Sequence, residues 1–234
     1  MVPLSFAGEE WLLTEGRALY WPSERALLVA DLHLEKGSFF AGHGQMIPPY
    51  DSRETLERVA LAIRETGARR VITLGDNFHD SDGSTRLEPH ACGMLEALTK
   101  AVDWVWITGN HDPHMDARCG GVLVEELELG GVVLRHRAHK GETRPELSGH
   151  YHPRLQLKIR HRNIRRPCAV VSANDGADGK PSGRMILPAF GAYTGGMNAA
   201  DPAILAALQP AERIDAVVPA KGQLARFNLW KRAA

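Results

Sequence analysis

Residues 26–33, with the sequence ALLVADLH, join a short apolar run to two polar side chains, Asp31 and His33. The run Ala26 to Ala30 is continuous and follows a turn, which predicts a strand that is buried on both faces. Side chains two residues apart on an extended segment point to the same side, so Asp31 and His33 are able to bind one centre together. The sequence therefore predicts a chelating pair at the carboxyl end of a buried strand.

The same pattern, an apolar run that ends in polar residues, recurs twice further along the chain. The run 71–74 leads to Gly75-Asp76, and the run 102–108 leads to Gly109-Asn110-His111-Asp112. An intervening helix is predicted before each run, and this alternation favours an α/β fold. Open α/β sheets place their ligand sites at the carboxyl ends of the strands. We therefore expect the three polar loops to meet at one edge of a sheet.

The second half of the chain changes character and is predicted to be mainly β. Helices are predicted at 51–67, 89–101 and 202–208. Short apolar or alternating runs predict strands at 122–127, 132–136, 155–159, 169–172, 185–187, 216–218 and 224–229. A β-rich half after an α/β half predicts two stacked sheets with helices outside, and we expect residues 1–234 to form a single domain.

Composition excludes several classes of protein. The 28 basic residues balance 28 acidic ones, so the chain does not coat nucleic acid through its overall charge. Cys92, Cys119 and Cys168 form no C-x-x-C pair, which argues against a disulfide framework and a thiolate zinc site. Glu9 and Glu10 stand where a signal peptide is apolar, and no apolar run approaches the ~18 residues of a membrane span. We expect a cytoplasmic location.

The chain contains eleven histidines, and several of them belong to a set of candidate metal ligands. This set consists of Asp31, His33, Asp76, Asn110, His136, His150 and His152. Carboxylate, imidazole and amide donors suit borderline or hard divalent cations such as Mn²⁺, Fe²⁺ or Zn²⁺. Seven ligands exceed the number that one closed tetrahedral zinc site needs. Two cations that share one carboxylate would use all seven.

Taken in order, these motifs resemble the signature of the calcineurin-like metallophosphoesterases. The matching segments are Asp31-Leu32-His33, Gly75-Asp76-Asn77, Gly109-Asn110-His111-Asp112, His136 and Gly149-His150-Tyr151-His152. The resemblance implies a four-layer α/β/β/α sandwich that holds two divalent metal ions. It assigns one metal to Asp31, His33, Asp76 and His152, and the other to Asp76, Asn110, His136 and His150. Asp76 would bridge the two, and a metal-activated hydroxide would hydrolyse the phosphoester.

A narrower resemblance is to the ligase-associated DNA damage response endonucleases, the PdeM group. It rests on residues 31–37, 75–79 and above all 187–198, and it extends over roughly residues 8–220. It implies a manganese-dependent phosphodiesterase that cleaves single-stranded DNA. It also implies a functional association with an ATP-dependent DNA ligase, a helicase and an exonuclease in bacterial DNA repair.

Four histidines and one aspartate near the motifs receive further roles from the resemblance. His111 is expected to protonate the leaving oxygen or to bind the developing negative charge, and Asp112 to orient its imidazole. His79 stands where many relatives carry an acidic residue, so we expect it behind the ligands rather than among them. His136 is preferred as a ligand because it ends a predicted strand, and His139 remains the alternative.

A basic segment follows the last ligand motif and is a candidate for binding the substrate. Residues 154–160 alternate between apolar and polar side chains, which predicts a strand with one cationic face. Arg154, Lys158 and Arg160 on that face are expected to bind a phosphate backbone. The alternative interpretation is an edge strand that its charges protect from aggregation.

The segment 189–198 carries Phe190 and Tyr193 among three glycines. It is interpreted either as a wall on which a base stacks, with Tyr193 as a substrate contact, or as a tight turn that closes the sheet. Two other functions remain open for the whole chain. One is a small-molecule or nucleotide-lipid phosphoesterase similar to UDP-2,3-diacylglucosamine pyrophosphohydrolase, which would need an amphipathic lid. The other is a non-enzymatic scaffold with the same fold, which would lack His111 or several ligands.

Overall fold

The computed structural model describes residues 1–116, 120–175 and 181–233. The helices within these residues are α1 (Lys36–Gly42), α2 (Asp51–Thr66), α3 (Gly83–Arg86), α4 (Pro89–Ala101) and α5 (Pro202–Ala207). The strands of the first half are β1 (Val2–Phe6), β2 (Glu9–Leu13), β3 (Leu19–Trp21), β4 (Ala26–Val29), β5 (Arg70–Leu74), β6 (Asp103–Ile107) and β7 (Val122–Val124). Those of the second half are β8 (Glu126–Leu129), β9 (Val132–Arg135), β10 (Glu146–Ser148), β11 (Arg154–Ile159), β12 (Arg162–Pro167), β13 (Ala169–Asp175), β14 (Pro181–Ser182), β15 (Arg184–Ile186), β16 (Arg213–Ala220) and β17 (Gln223–Lys231).

The first sheet has the strand order β1-β2-β3-β4-β5-β6-β7, so its neighbours in space are also neighbours in sequence. Strands β1 to β4 pair antiparallel, and β4 to β7 pair parallel. The carboxyl ends of β4, β5 and β6 therefore lie side by side. As the sequence predicts, the polar loops after these strands meet at one edge of the sheet.

The second sheet has the strand order β17-β16-β13-β15-β10-β9-β8, with β14 paired to β13. Its central strands β9, β10 and β15 pair parallel, and β13, β16 and β17 pair antiparallel. The segments after β9 and β10 carry His136, His150 and His152. A bridge between Ala30 and Ala189 joins the ends of the two sheets, which brings both sets of loops to one place.

The core is divided into three layers of side chains. Between the sheets, Trp11, Leu28 and Leu74 of the first pack with Leu134 and Met185 of the second. On the outer face of the first sheet, the apolar sides of α2 and α4 cover β4, β5 and β6. On the outer face of the second sheet, α5 and part of the β11–β12 hairpin cover β13 and β16. This arrangement confirms the predicted sandwich of two mixed sheets with helices outside.

Several local features differ from the sequence-based expectation. The run 122–127 is not one strand, because β7 belongs to the first sheet and β8 to the second. The hairpin β1–β2 was not predicted, although Val2, Leu4 and Phe6 alternate with exposed residues and become buried. The short helix α1 was also missed. No helix in the described part of the chain is long and apolar enough to cross a membrane.

Candidate metal centre

The loops at the joined sheet edges bring the predicted ligands into two groups of donor atoms. The first group contains Asp31, His33, Asp76 and His152, and the second contains Asp76, His136 and His150. Within each group the donor atoms lie within 4.8 Å of one another. Asp76 is the member that the two groups share. The structure thus places together the residues that the sequence separates by more than 100 positions.

The first group is compact and mostly buried. The Nε2 atoms of His33 and His152 lie 3.2 Å apart. His152 Nε2 lies 3.6 Å from Asp31 Oδ1, and His33 Nε2 lies 3.8 Å from Asp76 Oδ2. Two imidazole nitrogens and two carboxylate oxygens therefore converge on one point.

The second group forms around His136 at the end of β9. His136 Nε2 lies 3.4 Å from Asp76 Oδ1, 3.0 Å from Asn110 Oδ1 and 3.1 Å from His150 Nδ1. The Nδ1 atom of His136 lies 3.0 Å from the carbonyl oxygen of Leu74, which accepts its proton. That hydrogen bond leaves the lone pair of Nε2 directed at the group, as a metal ligand requires.

The protonation chemistry of both groups fits a bound cation. Burial lowers the pKa of His150 to about 4, with His136 as the next cause, and burial also lowers the pKa of His33. These imidazoles are neutral near pH 7 and their lone pairs are available as ligands. Burial raises the pKa of Asp76, so its carboxylate gains from a nearby positive charge. Imidazole, carboxylate and amide donors together suit a divalent cation of the Mn²⁺, Fe²⁺ or Zn²⁺ type.

The backbone at the ligands adopts an uncommon conformation. Asp31, His33, Asp76, His150 and His152 have φ values of 54°, 45°, 47°, 73° and 47°, in the left-handed region that residues other than glycine avoid. Each such residue costs about 1–3 kcal/mol, and such strain is concentrated at functional sites. The fold holds these five side chains in position at the expense of stability.

Glycines precede the ligands for a steric reason. A Cβ atom on Gly109 would lie 2.2 Å from both the backbone nitrogen and Oδ1 of Asp76. A Cβ atom on Gly149 would lie 2.7 Å from Asp31 Oδ2. The Gly-Asn and Gly-His motifs therefore leave room for a ligand that arrives from another loop.

The sequence offers two histidines, His136 and His139, as candidates for the second group, and the structure brings only His136 there. His136 is buried beside Asp76, whereas His139 is exposed. The backbone N–H of His139 donates to Glu146 Oε1, and its carbonyl oxygen accepts from Arg184. The buried Glu146 and Arg184 thus hold the segment that turns away from the centre.

His111 lies at the open side of the centre. Its backbone N–H donates to Asp76 Oδ1 over 3.0 Å, and its Nδ1 lies 2.9 Å from the carbonyl oxygen of His79. The side chain is exposed, and its ring centroid lies 5.0 Å from that of His33. The ring of His111 therefore lies beside the candidate ligands and is open to solvent.

The expectation that Asp112 orients His111 does not match the contacts of this carboxylate. Asp112 is fully buried, and its oxygens accept backbone N–H groups of Asn77, Phe78 and Gly109. The imidazole of His111 is held instead by the backbone of His79. Asp112 fixes the loops that carry Asp76 and Asn110 relative to each other.

His79 lies beside His33 of the first group. Its Nδ1 is 3.5 Å from His33 Nδ1, and its ring stacks against that of His111 at a centroid distance of 5.2 Å. Burial lowers the pKa of His79 to about 4, with Lys36 as the next cause, so the ring is neutral near pH 7. His33, His79 and His111 also form a third cluster of donor atoms.

Comparison with known proteins agrees with this geometry. The family model of the calcineurin-like phosphoesterases matches residues 24–173. The chain belongs to this family. The crystal structure of Pseudomonas putida nuclease MPE is similar, with 31% sequence identity and a TM-score of 0.65 over 92% of this chain and 95% of that chain. Among curated proteins, none matches.

The cationic residues predicted to bind substrate occupy two environments in this phosphoesterase. Arg154 is half-buried, and its guanidinium donates to the carbonyl oxygen of Thr194 over 3.0 Å. Lys158 and Arg160 are exposed near the tip of the β11–β12 hairpin. Strand β11 pairs with β12 in a separate two-stranded sheet, and Leu155 is buried on its apolar face.

The segment 189–198 supports the ligand loops of the phosphoesterase instead of lying open as a wall. Phe190 is 1% exposed and packs in the core under α2, so its ring is not available to a base. The N–H of Phe190 donates to the carbonyl oxygen of Ala30, and the N–H of Met197 donates to that of His152. Tyr193 is half-buried and remains a predicted substrate contact.

Proposed function

We propose that this phosphoesterase is a dinuclear-metal-dependent phosphodiesterase that cleaves single-stranded DNA. The observation that carries the proposal is the position of Asp76 between two groups of donor atoms. Its Oδ2 lies 3.8 Å from His33 Nε2 and its Oδ1 lies 3.4 Å from His136 Nε2. One buried carboxylate thus offers an oxygen to each group. The donors contain nitrogen and oxygen only, which is compatible with Mn²⁺ as the cation.

Asp31, His33, Asp76 and His152 would hold one divalent cation, and Asp76, Asn110, His136 and His150 would hold the other. Cations held there would polarise a phosphate diester and lower the pKa of a water molecule. The side chains and loops of the protein position these groups and supply a proton. Its strained loops hold the seven ligands in place, and His79 holds the imidazole of His111 through a backbone carbonyl. Because the carbonyl oxygen of His79 accepts the proton on Nδ1, His111 acts in its doubly protonated form, in which Nε2 delivers a proton to the leaving oxygen or donates a hydrogen bond to it.

The preference for DNA rests on two observations. The similar structure from Pseudomonas putida is that of a nuclease. In this chain, the β11–β12 hairpin begins two residues after His152 and carries exposed cations suited to a phosphate backbone. A role in bacterial DNA repair in the cytoplasm, in association with an ATP-dependent ligase, a helicase and an exonuclease, belongs to the same proposal.

The proposal is tested with the manganese-loaded protein on three substrates, which are single-stranded DNA, duplex DNA and a nucleotide-lipid. An Asp76→Asn variant serves as the inactive control. We expect cleavage of single-stranded DNA that a chelator abolishes and manganese restores. Hydrolysis of the nucleotide-lipid alone would assign the protein to the lipid-directed phosphoesterases and overturn the proposal.

A further inference from the structure

Aromatic side chains of helix α1 lie directly beside the metal centre. The ring centroids of Phe39 and Phe40 are 4.7 and 5.6 Å from that of His79. The two phenyl rings are 5.6 Å apart, and His43 packs against Phe39 at 4.4 Å. We call the pair Phe39 and Phe40 the α1 aromatic pair.

The α1 aromatic pair is not part of the hydrophobic core. Both rings are half-exposed, and neither belongs to the core clusters formed by the described residues or to the apolar side chains packed against them. Burial of a phenylalanine stabilises a protein by about 1.5–3 kcal/mol, a gain that these two rings forgo in part. Adjacent, partly exposed phenyl rings beside a reaction centre point to a ligand that covers them.

The backbone of α1 is held firmly in spite of its length of seven residues. Gly37 donates its N–H to Asp51 at the start of α2, and Glu35 donates its N–H to Ser52 Oγ. Asp51 and Ser52 are buried, so these contacts are shielded from water. The α1 aromatic pair is therefore presented in a fixed position.

The surroundings of the pair match the chemistry of a nucleotide. His79 links the phenyl rings to the metal centre, because its ring also lies 5.5 Å from that of His33. The ammonium of Lys36 lies 6.0 Å above the ring of Phe40, so a cation suited to a phosphate accompanies the apolar surface. A flat base on the rings would keep its phosphate near both Lys36 and the metal ligands.

We propose that the α1 aromatic pair is a binding subsite for the nucleobase next to the scissile phosphate. The inference deepens the function proposed above and rests on it. Stacking on an aromatic side chain tolerates every base, since each base has a π face, and removal of the side chain weakens binding about 5- to 150-fold per base. The subsite therefore favours unpaired strands, whose bases are free to stack, over duplexes and over phosphodiesters without a base.

Two small phosphodiesters with the same leaving group isolate the contribution of the base. Thymidine 5′-(4-nitrophenyl phosphate) carries a nucleoside, and methyl 4-nitrophenyl phosphate does not. We expect Phe39→Ala and Phe40→Ala to lower kcat/KM on the thymidine ester by about 5- to 150-fold and to leave the methyl ester unchanged. The thymidine 3′-ester, measured in parallel, reports on which side of the phosphate the base lies.

A binding measurement makes the inference independent of turnover. In the presence of EDTA, we expect the wild-type protein to bind a fluorescent oligothymidylate more tightly than an abasic strand of the same length, and the Phe39→Ala variant to lose this difference. Phe39→Leu and Phe40→Leu keep the apolar bulk and remove the ring, and they serve where an alanine variant fails to fold. Phe227→Ala removes a half-buried ring on β17 and is the matched control. It should change neither the ratio of kcat/KM on the two esters nor the difference in affinity between the two strands.

The possible outcomes separate the two proposals. If Phe39→Ala and Phe40→Ala lower kcat/KM equally on the thymidine and methyl esters, the α1 aromatic pair only supports His79. That result would overturn the subsite. A wild-type protein that cleaves neither ester but discriminates between the two strands in binding would overturn the phosphodiesterase function and retain the base subsite. Absence of any base preference in both measurements would also overturn the subsite.

Discussion

The metal centre and the β11–β12 hairpin are two residues apart in the chain, at His152 and Arg154, and they are built in opposite ways. Asp31 and Asp76 in the centre are 0% and 2% exposed, and their backbone is strained. The hairpin is a separate two-stranded sheet, and Lys158 near its tip is exposed to solvent. Chemistry requires fixed atoms, whereas attraction of a polyanion requires only charge at suitable distances. Substitutions should therefore have large, shape-dependent effects in the centre and smaller, salt-dependent effects in the hairpin.

Replacement of the shared carboxylate should produce the largest effect. Asp76→Asn keeps the shape of the side chain and removes the charge that faces both groups. We expect kcat/KM on a phosphodiester to fall by at least about 10³-fold, together with a loss of bound metal measured by inductively coupled plasma mass spectrometry. Glu65→Gln, an exposed carboxylate on α2, is the control and should change neither quantity. Two tightly bound cations in Asp76→Asn would contradict the bridging role.

His111 should separate turnover from metal binding. Because His111 lies at the open side and is held by His79, His111→Ala removes a proton donor and leaves the ligands in place. We expect kcat to fall by about 10²- to 10⁴-fold while the metal content is unchanged. His114→Ala removes an exposed histidine three residues away and should retain full activity. Normal kcat in His111→Ala would remove this role.

The contact between Gly109 and Asp76 tests how far the centre depends on exact packing. In Gly109→Ala the new methyl group would lie 2.2 Å from Asp76 atoms, so the loops must move apart. We expect metal affinity to fall by about 10- to 100-fold, as it does when a residue that supports a metal ligand is lost. We also expect the free energy of unfolding to fall by about 1–3 kcal/mol. Gly93→Ala in α4 has open space around its new Cβ and should stabilise the protein by about 0.5–1 kcal/mol. A stable, metal-tight Gly109→Ala protein would show that the loops are adaptable.

The difference between the metal centre and the hairpin also explains which parts of the site can be predicted from the sequence. The candidate ligands follow buried strands, and the parallel pairing of β4, β5 and β6 brings the ends of these strands together, so local patterns were sufficient to predict that the polar loops meet. The preference for His136 over His139 agrees with the structure for the same reason, because only His136 directly follows the strand β9. Asp112 was misjudged because its partners are backbone N–H groups, which no sequence motif displays.

The parts that sequence reasoning missed lack a periodic signal. Helix α1 is seven residues long and contains two glycines, so the exposure of Phe39 and Phe40 beside His79 depends on tertiary contacts. The sequence left segment 189–198 open as either a base-stacking wall or a tight turn. Phe190 packs in the core because its segment meets the end of the first sheet at the bridge between Ala30 and Ala189. By contrast, the alternation in Val2–Phe6 was a readable signal for β1.

The smallest effect is expected in the hairpin, and salt dependence is the property that reveals it. Residues 154–160 extend over about 20 Å at the usual rise of a strand, so Lys158 and Arg160 lie well along the hairpin from its start at Arg154. We expect them to act on a bound DNA strand only through their charge. Each phosphate contact on single-stranded DNA contributes about 0.7 to the slope of log K against log salt. We expect the double variant Lys158→Ala, Arg160→Gln to lower this slope by up to about 1.4, with kcat on methyl 4-nitrophenyl phosphate unchanged.

The control Arg64→Ala, Arg69→Gln removes the same net charge from an exposed region around the end of α2. An equal change of slope in both double variants would mean that DNA senses only the total charge, and the hairpin would then be an edge that its charges protect from aggregation.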